Sequence, residues 1–241
     1  MDTWHDIAVQ KLRRHSQLTS EDEELLRTLT GRVRTLEPGE DLVRQGDRPY
    51  AAALVLSGMI ARYHTVAAGR RQYLSFHFPG DWPDAQSIFL ERMDHSVCAI
   101  GPASVASVRH DHLRAAFEAR PAVAIALWRE TLIDAAILRE AITNNSSRSA
   151  LSRMAHLFCE LFYRAQAAGI VVGDSAALPL TQAQLGEALG MALVTVNRLL
   201  QALRRTETMN FRAGTLRVMH WERLCEIGEF DPDYLSMPNP F

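Results

Sequence analysis

The stretch TQAQLGEALGMALVTVNRLLQALRR occupies residues 181–205 and carries the most informative pattern of this 241-residue chain. Thr181 precedes Gln184 by three residues, which forms a capping box, so a helix is predicted to begin there. Gly190 falls where the chain would turn sharply, because glycine adopts backbone conformations that other residues avoid. A second helix is predicted over residues 193–205. The spacing favours a helix-turn-helix, with an ordinary helical hairpin as the alternative.

The side chains of this stretch divide into an apolar set and a polar set. Leu185, Leu189, Val196 and Leu199 would fill the core between the two helices, and Gly186 would let the helices cross closely. In a helix-turn-helix the second helix lies in the major groove of DNA, where arginine suits guanine or phosphate and amides suit adenine. The predicted DNA contacts of the two helices are Thr181, Gln182, Val194, Thr195, Asn197, Arg198, Gln201, Arg204 and Arg205.

A basic hairpin is predicted directly after the second helix. Residues 209–218 read MNFRAGTLRV, which is two short strands around a glycine turn, and Arg212 and Arg217 are placed to contact phosphates as a wing. Residues 148–223 contain 9 Lys and Arg against 5 Asp and Glu, a net charge of +4. The flanking segments are acidic, with net charges of -2 over residues 1–147 and -4 over residues 224–241. The charge distribution alone is weak support for a polyanion partner.

The first half of the chain has a different pattern. Glycine turns recur in PGE (38–40), QGD (45–47), LSG (56–58) and PGD (79–81), which predicts an antiparallel β sandwich or barrel. Residues 72–78 alternate as a half-buried strand, with Tyr73, Ser75 and His77 on the exposed face. Residues 97–108 predict two further strands, broken at Gly101.

A long helix is predicted after the β region. Apolar residues recur every three or four positions from Pro121 to about Ile142, and we interpret this stripe as a coiled-coil-like dimer seam. A stripe buried in the core is the alternative. The residues of the predicted seam are Ile125, Trp128, Leu132, Ala135, Leu138 and Ile142. Residues 144–147, NNSS, are predicted to be a hinge before another helix.

The remaining composition bounds the class of protein. The three cysteines, Cys98, Cys159 and Cys225, are far apart and lack a C-x-x-C motif, so they are predicted to be buried small hydrophobic residues. Apolar runs fall short of the roughly 20 residues that a membrane span needs. The N-terminus lacks the apolar core of a signal peptide, and we expect a cytoplasmic protein.

The order of these parts resembles the Crp/Fnr family of bacterial transcription regulators over nearly the whole chain. The resemblance rests on PGE, QGD, LSG and PGD in the β region and on LTQAQLGEALGMALVTVNRLLQALRR in the DNA module. It implies an α+β fold with an N-terminal antiparallel β jelly-roll barrel, a long dimerisation helix and a C-terminal winged helix-turn-helix. It also implies a homodimer, a palindromic operator in double-stranded DNA, an effector pocket inside the barrel and contact with RNA polymerase. We expect the effector barrel with N-terminal helices over residues 1–118, the dimerisation helix and hinge over 119–147, the DNA-binding domain over 148–230 and a tail over 231–241.

The chain departs from the family pattern at the expected effector pocket. Family members that bind cyclic AMP carry a Gly-Glu pair after the PGD turn and a later Arg-Ser pair for the cyclic phosphate. Here Asp84 or Gln86 stands near the glutamate position and His95 with Ser96 replaces Arg-Ser, so we do not expect cyclic AMP unless Arg92 substitutes for the arginine. The expected pocket consists of Trp82, Asp84, Gln86, Ser87, His95 and Ser96.

Two other departures concern a metal cluster and the DNA target. No cysteine precedes Cys98, so the iron–sulfur cluster of oxygen-sensing members is not expected. Leu193 and Val194 stand where members that read the best-known site have Arg-Glu, so a different target is expected, with Val194 near a thymine methyl.

Several functions remain alternatives to a regulator with an unknown effector. Control by protein abundance or by a protein partner, true gating by a cyclic nucleotide, and a ligand-binding module that no longer binds DNA are each compatible with the chain. An enzyme or metal site would draw on His77, Asp81, Asp84 and His95, or on residues 110–112, which read HDH. These residues lack the tight histidine spacing of metal-binding barrels, so we expect neither a catalytic nor a metal site.

Overall fold

The computed structural model describes residues 3–66 and 69–236. The chain forms two compact units of mixed helix and sheet. Among the described residues, the first comprises residues 3–64 and 76–135, and the second comprises residues 65–66, 69–75 and 136–236. Residues 237–241 of the predicted tail lie outside the described residues. Over the described part of the chain, no helix is long and apolar enough to cross a membrane.

In the described part of the N-terminal half, seven short strands form two sheets, in the jelly-roll-like arrangement that the glycine turns predict. The strands pair as two sheets with orders β1-β7-β3 and β2-β6-β4-β5, rather than as one closed barrel. The gap between β6 and β7 falls at Gly101, as predicted. The strands are β1 (Gly31–Leu36), β2 (Asp41–Val43), β3 (Ala51–Ser57), β4 (Ile60–Thr65), β5 (Arg71–His77), β6 (Ser96–Ala99) and β7 (Ala103–Arg109).

An apolar core joins residues of both sheets, including Leu36, Val55, Ile60, Val97 and Val105. Each of these side chains is at most 2% exposed. Alternate residues of neighbouring strands point to this core, because side chains alternate between the two faces of a strand.

Strand β5 differs from the expected half-buried strand. Tyr73, Ser75 and His77, which were predicted to be exposed, are each at most 5% exposed. His77 Nδ1 lies 4.0 Å from Asp81 Oδ2 in the turn that follows the strand. The prediction was wrong because both faces of this strand are buried. An alternation of apolar and polar side chains predicts that only the apolar face is buried.

Four α-helices lie among the described residues up to Ser147. The acidic start of the second helix is capped by Thr19, whose side chain accepts a hydrogen bond from Asp22 N, while Asp22 Oδ2 accepts from Thr19 N. Leu12, Leu26 and Leu54 belong to one apolar core, which packs the first two helices against β3. The helices are α1 (Trp4–Arg13), α2 (Ser20–Thr28), α3 (His110–Ala119) and α4 (Pro121–Ser147), with a 3-10 helix over Ala85–Phe89.

Helix α4 is longer than predicted. Residues 144–147, expected as a hinge, instead form its last turn. Asn144 is buried, and its amide donates a hydrogen bond of 3.2 Å to the carbonyl oxygen of Arg153 in the next helix. The hinge was predicted from the polar residues alone. A hydrogen bond between two helices cannot be recognised from the neighbouring sequence.

The C-terminal half contains the predicted helix-turn-helix and hairpin. Its sheet has the order β10-β11-β9-β8, and the first two strands of this sheet, β8 and β9, were not predicted. Ser149 caps the first helix by accepting a hydrogen bond from Ser152 N. The elements are α5 (Ala150–Ala167), β8 (Val171–Val172), β9 (Ser175–Ala177), α6 (Gln182–Leu189), α7 (Leu193–Arg205), β10 (Met209–Arg212), β11 (Thr215–Val218), α8 (Trp221–Gly228) and a 3-10 helix over Pro232–Leu235.

Candidate DNA-binding surface and effector pocket

Helices α6 and α7 cross at a glycine. Gly186 lies so close to the turn that a Cβ atom there would be 2.6 Å from the carbonyl oxygen of Met191. Gly190 ends α6 with a φ of 63°, in the left-handed region. Thr181 and Gln184 form both halves of the capping box, with Thr181 N donating to Gln184 Oε1 at 2.8 Å. Local backbone chemistry therefore fixes where α6 begins and where the chain turns into α7.

Helix α7 presents one apolar face to the core and one polar face to solvent. Val196, Leu199 and Leu203 are buried, with exposures from 0% to 7%. Val194 is 81% exposed, although it is apolar. Thr195 and Gln182 are half-buried, and the remaining predicted contacts of the two helices are exposed, namely Thr181, Asn197, Arg198, Gln201, Arg204 and Arg205.

Some of these polar groups already have intramolecular partners. Arg204 Nε donates to Asn210 Oδ1 at 3.1 Å, which links the end of α7 to the hairpin. Asn197 Nδ2 donates to the carbonyl oxygen of Leu193 at 3.2 Å. This bond uses one of the two amide hydrogens of Asn197, so the second hydrogen and Oδ1 can still pair with a base.

The predicted wing is present as an antiparallel hairpin. Ala213 and Gly214 have φ values of 49° and 73°, which fit the two-residue turn that joins β10 to β11. Arg212 and Arg217 are exposed on this hairpin. Arg217 Nε donates to Asp174 Oδ2 at 2.7 Å, and this guanidinium lowers the pKa of Asp174. The charge of Arg217 is partly neutralised by Asp174, so Arg212 is the wing arginine better suited to contact a phosphate.

The predicted dimer seam lies on exposed surface of α4. Ile125, Trp128, Leu132 and Ile142 are between 48% and 70% exposed, and Ala135 and Leu138 are half-buried. Exposed large apolar side chains in one row are typical of a surface that another protein covers.

The six residues of the expected effector pocket do not all converge on one point. Asp84 Oδ1 accepts a hydrogen bond of 2.7 Å from Ala53 N. Ser96 Oγ accepts from Gln45 N at 2.9 Å, and Ser87 Oγ lies 3.0 Å from His110 Nε2. The hydroxyl groups of Ser96 and Ser87 therefore already have partners, Gln45 and His110, that are not residues of the expected pocket. Gln86 is half-buried, whereas the other five residues are buried.

The polar centre of this region is Arg62, a residue that the sequence interpretation missed. Arg62 lies on β4, is 3% exposed, and donates from Nε to the carbonyl oxygen of Pro83 at 2.5 Å. Its guanidinium forms an ion pair with Asp134 of α4, and its Nη2 lies 3.5 Å from Gln86 Oε1. The available signal was an arginine between the apolar residues of IARY, matched by a carboxylate within the mostly apolar sequence of α4.

Burial and Arg62 set the protonation of the neighbouring groups. Burial raises the pKa of Asp84 to about 6, against hydrogen bonding from Ala53 and the charge of Arg62. Burial and the charge of Arg62 lower the pKa of His95, although Asp94 opposes this. The imidazole of His95 is therefore mostly neutral at pH 7, unlike the arginine that it replaces in the family pattern.

Within the described residues, three buried polar atoms of this region have no hydrogen-bond partner: Trp82 Nε1, His95 Nε2 and Asp134 Oδ1. Such atoms usually contact water or a ligand, because an unsatisfied buried polar group is costly. They include a nitrogen donor and a carboxylate acceptor, which suits a ligand with both hydrogen-bonding roles better than a purely anionic one.

The comparisons with known proteins match both halves of the chain. A family model for the cyclic nucleotide-binding domain matches residues 33–120, and one for the Crp-like helix-turn-helix domain matches residues 152–227. The chain is 25% identical to the transcriptional activator protein anr of Pseudomonas aeruginosa over 87% of this chain and 86% of that protein. It is 25% identical to the nitrogen fixation regulation protein FixK of Rhizobium meliloti over 80% of this chain and 85% of that protein.

A solved structure gives the same result at the level of fold. The structure of FixK2 from Bradyrhizobium japonicum is similar with a TM-score of 0.73 and 25% identity. The similar region covers 83% of this chain and 98% of that one.

Proposed function

Because the chain belongs to the Crp/Fnr family and is a DNA-binding transcription regulator of that type, we propose that it binds a palindromic operator as a homodimer. The family consists of transcription regulators rather than enzymes. On the basis of the same family membership, we also propose that it contacts RNA polymerase and acts in the cytoplasm.

One observation carries the DNA-binding part of this proposal. The exposed face of α7 places Asn197, Arg198 and Gln201 side by side, on a helix whose opposite face is fully packed. Residues 197, 198 and 201 fall on neighbouring turns of the helix, so their side chains share one surface. Arginine and amide side chains at such spacing match the donor and acceptor pattern of the major groove.

Control of this regulator would not involve a cyclic nucleotide. A cyclic phosphate needs an unengaged cation, whereas the Arg62 guanidinium is paired with Asp134 and bonded to Pro83. Asp84 adds a second carboxyl group near the same arginine, and His95 supplies no fixed positive charge. The residues present therefore do not fit a cyclic phosphate, and they favour a neutral or cationic effector, or none.

The Arg62 ion pair also provides a route from the pocket to the predicted seam. Asp134 lies on α4 between Leu132 and Ala135, both residues of that seam. An effector that displaced Asp134 from Arg62 would act directly on the helix that we propose to pair with its copy.

Selection of bound DNA from a random pool tests the proposed function. The full-length purified protein is incubated with the pool in the presence and in the absence of cyclic AMP, and the recovered sequences are compared. We expect one palindromic sequence to be enriched equally in both samples. Enrichment only with cyclic AMP would contradict the proposed control, and a single unrepeated half-site would contradict the dimer.

The variant Arg198→Ala tests whether the selected DNA is recognised by helix α7. We expect the free energy of operator binding to become less favourable by about 1 to 3 kcal/mol. We also expect the protein to lose its preference for one particular base at one base pair of each half-site. An equal loss on every DNA sequence would assign Arg198 to a phosphate instead of a base.

A further inference from the structure

Helices α5 and α8 pack against each other in antiparallel register within the DNA-binding unit. At one end, a Cβ atom on Gly228 would lie 2.8 Å from His156 N, so the two backbones are nearly in contact. His156 Nδ1 also donates a hydrogen bond of 3.1 Å to the carbonyl oxygen of Gly228. At the other end, the ring of Trp221 lies 5.8 Å from that of Phe162 and 6.4 Å from that of Tyr163, between centroids.

These two contacts determine which residues face each other between them. Three residues beyond His156 along α5 is Cys159, and three residues before Gly228 along α8 is Cys225. Residues three apart on a helix share a face, so the antiparallel register places Cys159 opposite Cys225. The two thiols are close enough that their interaction shifts the pKa of each.

The two thiols differ in access and in acidity. Cys159 is buried, and burial raises its pKa well above the ordinary range. Cys225 is half-buried, and the hydrogen bond with Cys159 lowers its pKa, against burial and the nearby carboxylate of Glu222. Cys225 is therefore the thiol that an oxidant reaches, and Cys159 is the thiol held beside it. This corrects the prediction that all three cysteines are buried, since Cys98 and Cys159 are buried and Cys225 is half-buried.

We propose that Cys159 and Cys225 are an oxidation site that forms a reversible disulfide in the presence of hydrogen peroxide. The Cys225 thiolate attacks one peroxide oxygen, the O–O bond breaks, and the sulfur becomes a sulfenic acid while hydroxide leaves and is protonated to water. The sulfur of Cys159 then attacks the Cys225 sulfur, its proton is lost, and the hydroxyl group departs as a second water. Two thiols and one peroxide give one disulfide and two waters.

The disulfide would add a covalent bond between two helices that packing and the His156–Gly228 hydrogen bond already hold together. Helix α8 begins directly after the wing, and Met219 N and His220 N both donate to the carbonyl oxygen of Thr208, at 2.8 and 3.1 Å. Thr208 follows the end of α7 by three residues. A covalent bond from α8 to α5 would therefore fix the base from which both the wing and α7 project.

Peptide mass spectrometry of the full-length protein tests this inference. The protein is treated with stoichiometric hydrogen peroxide, its remaining thiols are alkylated, and it is digested without reductant. We expect one linked peptide pair containing Cys159 and Cys225, lighter than the two thiol peptides by two hydrogen atoms and separated by dithiothreitol. The bond within one chain is distinguished from one between chains by a non-reducing gel.

Three serine variants sharpen the result. Cys98→Ser is the matched control, since Cys98 lies in the other unit, and the linked peptide should form unchanged. In Cys159→Ser, Cys225 should stop at the sulfenic acid and react with dimedone. In Cys225→Ser, Cys159 should stay reduced. The proposal would be overturned if the wild-type chain gave no linked peptide, or if the link joined two copies of Cys225. Both results are measured on the wild-type protein, so they do not depend on whether a variant folds.

Discussion

The carboxyl group of Asp84 is a single residue whose ionisation should be visible in the stability of the protein. Its pKa is raised from 3.8 to about 6 because burial disfavours the charged form. Its contribution to stability is therefore complete below pH 3.8 and is lost as the pH rises through about 6. The loss corresponds to about 3 kcal/mol. We expect Asp84→Asn, which keeps an oxygen for Ala53 N, to remove this loss when urea unfolding is measured from pH 4.5 to 7.5.

Asp22 provides a control with the opposite sign. Arg120 Nε donates to Asp22 Oδ1 at 2.6 Å and holds the pKa of that carboxyl at about 2. Its stabilisation is present above pH 3.8 and is lost only as the pH falls toward 2, so Asp22→Asn should destabilise the protein throughout the tested range. Equal pH profiles for wild type and Asp84→Asn would show that folding does not raise the pKa of Asp84.

Residue by residue, the sequence identified groups whose role is local and missed groups whose role depends on a distant partner. Asp84 could be selected because it follows the PGD turn. Arg62 was missed because its partners, Pro83 and Asp134, lie 21 and 72 positions away. Pairing between residues so far apart in the sequence leaves no periodic pattern. The available sign of such a partner is that burying an unpaired arginine would be costly.

At the scale of elements, α4 carries the proposed dimer contact and offers a direct test. Leu132 is 48% exposed in the single chain, and a partner helix would bury it. We expect Leu132→Glu to convert the dimer to a monomer, because two carboxylates would be brought together in an apolar seam. Analytical ultracentrifugation measures the change, and operator affinity should fall with it.

Val33→Glu is the matched control for this variant. Val33 is 54% exposed on β1 and is not a residue of the predicted seam, so the same substitution there should leave both the mass and the operator affinity unchanged. A dimeric Leu132→Glu protein would place the dimer contact on another surface.

Elements were predictable where their ends are set by neighbouring residues. Helix α7 spans Leu193–Arg205 as expected, because Gly190 fixes the turn before it and the chain then follows an apolar period. Strands β8 and β9 are only two and three residues long, too short for a periodic pattern. Strand β9 pairs with β11 and β8 pairs with β9, and the sequence around them does not reveal this pairing.

At the scale of the whole molecule, the order of parts was predictable and the closure of the β region was not. Turn glycines mark where strands end, and Gly58 shows why one of them is required. A Cβ atom there would lie 2.3 Å from the carbonyl oxygen of Pro102. Turns specify neither which strands pair nor whether a sheet closes, because those depend on contacts between distant segments. The two sheets of three and four strands therefore had to be observed.

The proposed homodimer makes a prediction about the length of its DNA site. Two recognition helices related by a two-fold axis would enter successive major grooves, about 34 Å or one helical turn apart. Inserting about five base pairs between the half-sites turns one of them to the opposite side of the duplex, so at most one copy of α7 can reach its bases. We expect such an insertion in the selected operator to reduce affinity at least about 100-fold, which amounts to one lost half-site of about 3 kcal/mol or more. Gel-shift titration at fixed salt measures the loss, and replacing the central base pairs without changing the length is the control. Equal affinity for the inserted and original sites would mean that each copy of the chain binds DNA independently, and the seam on α4 would then have no role in setting the distance between the recognition helices.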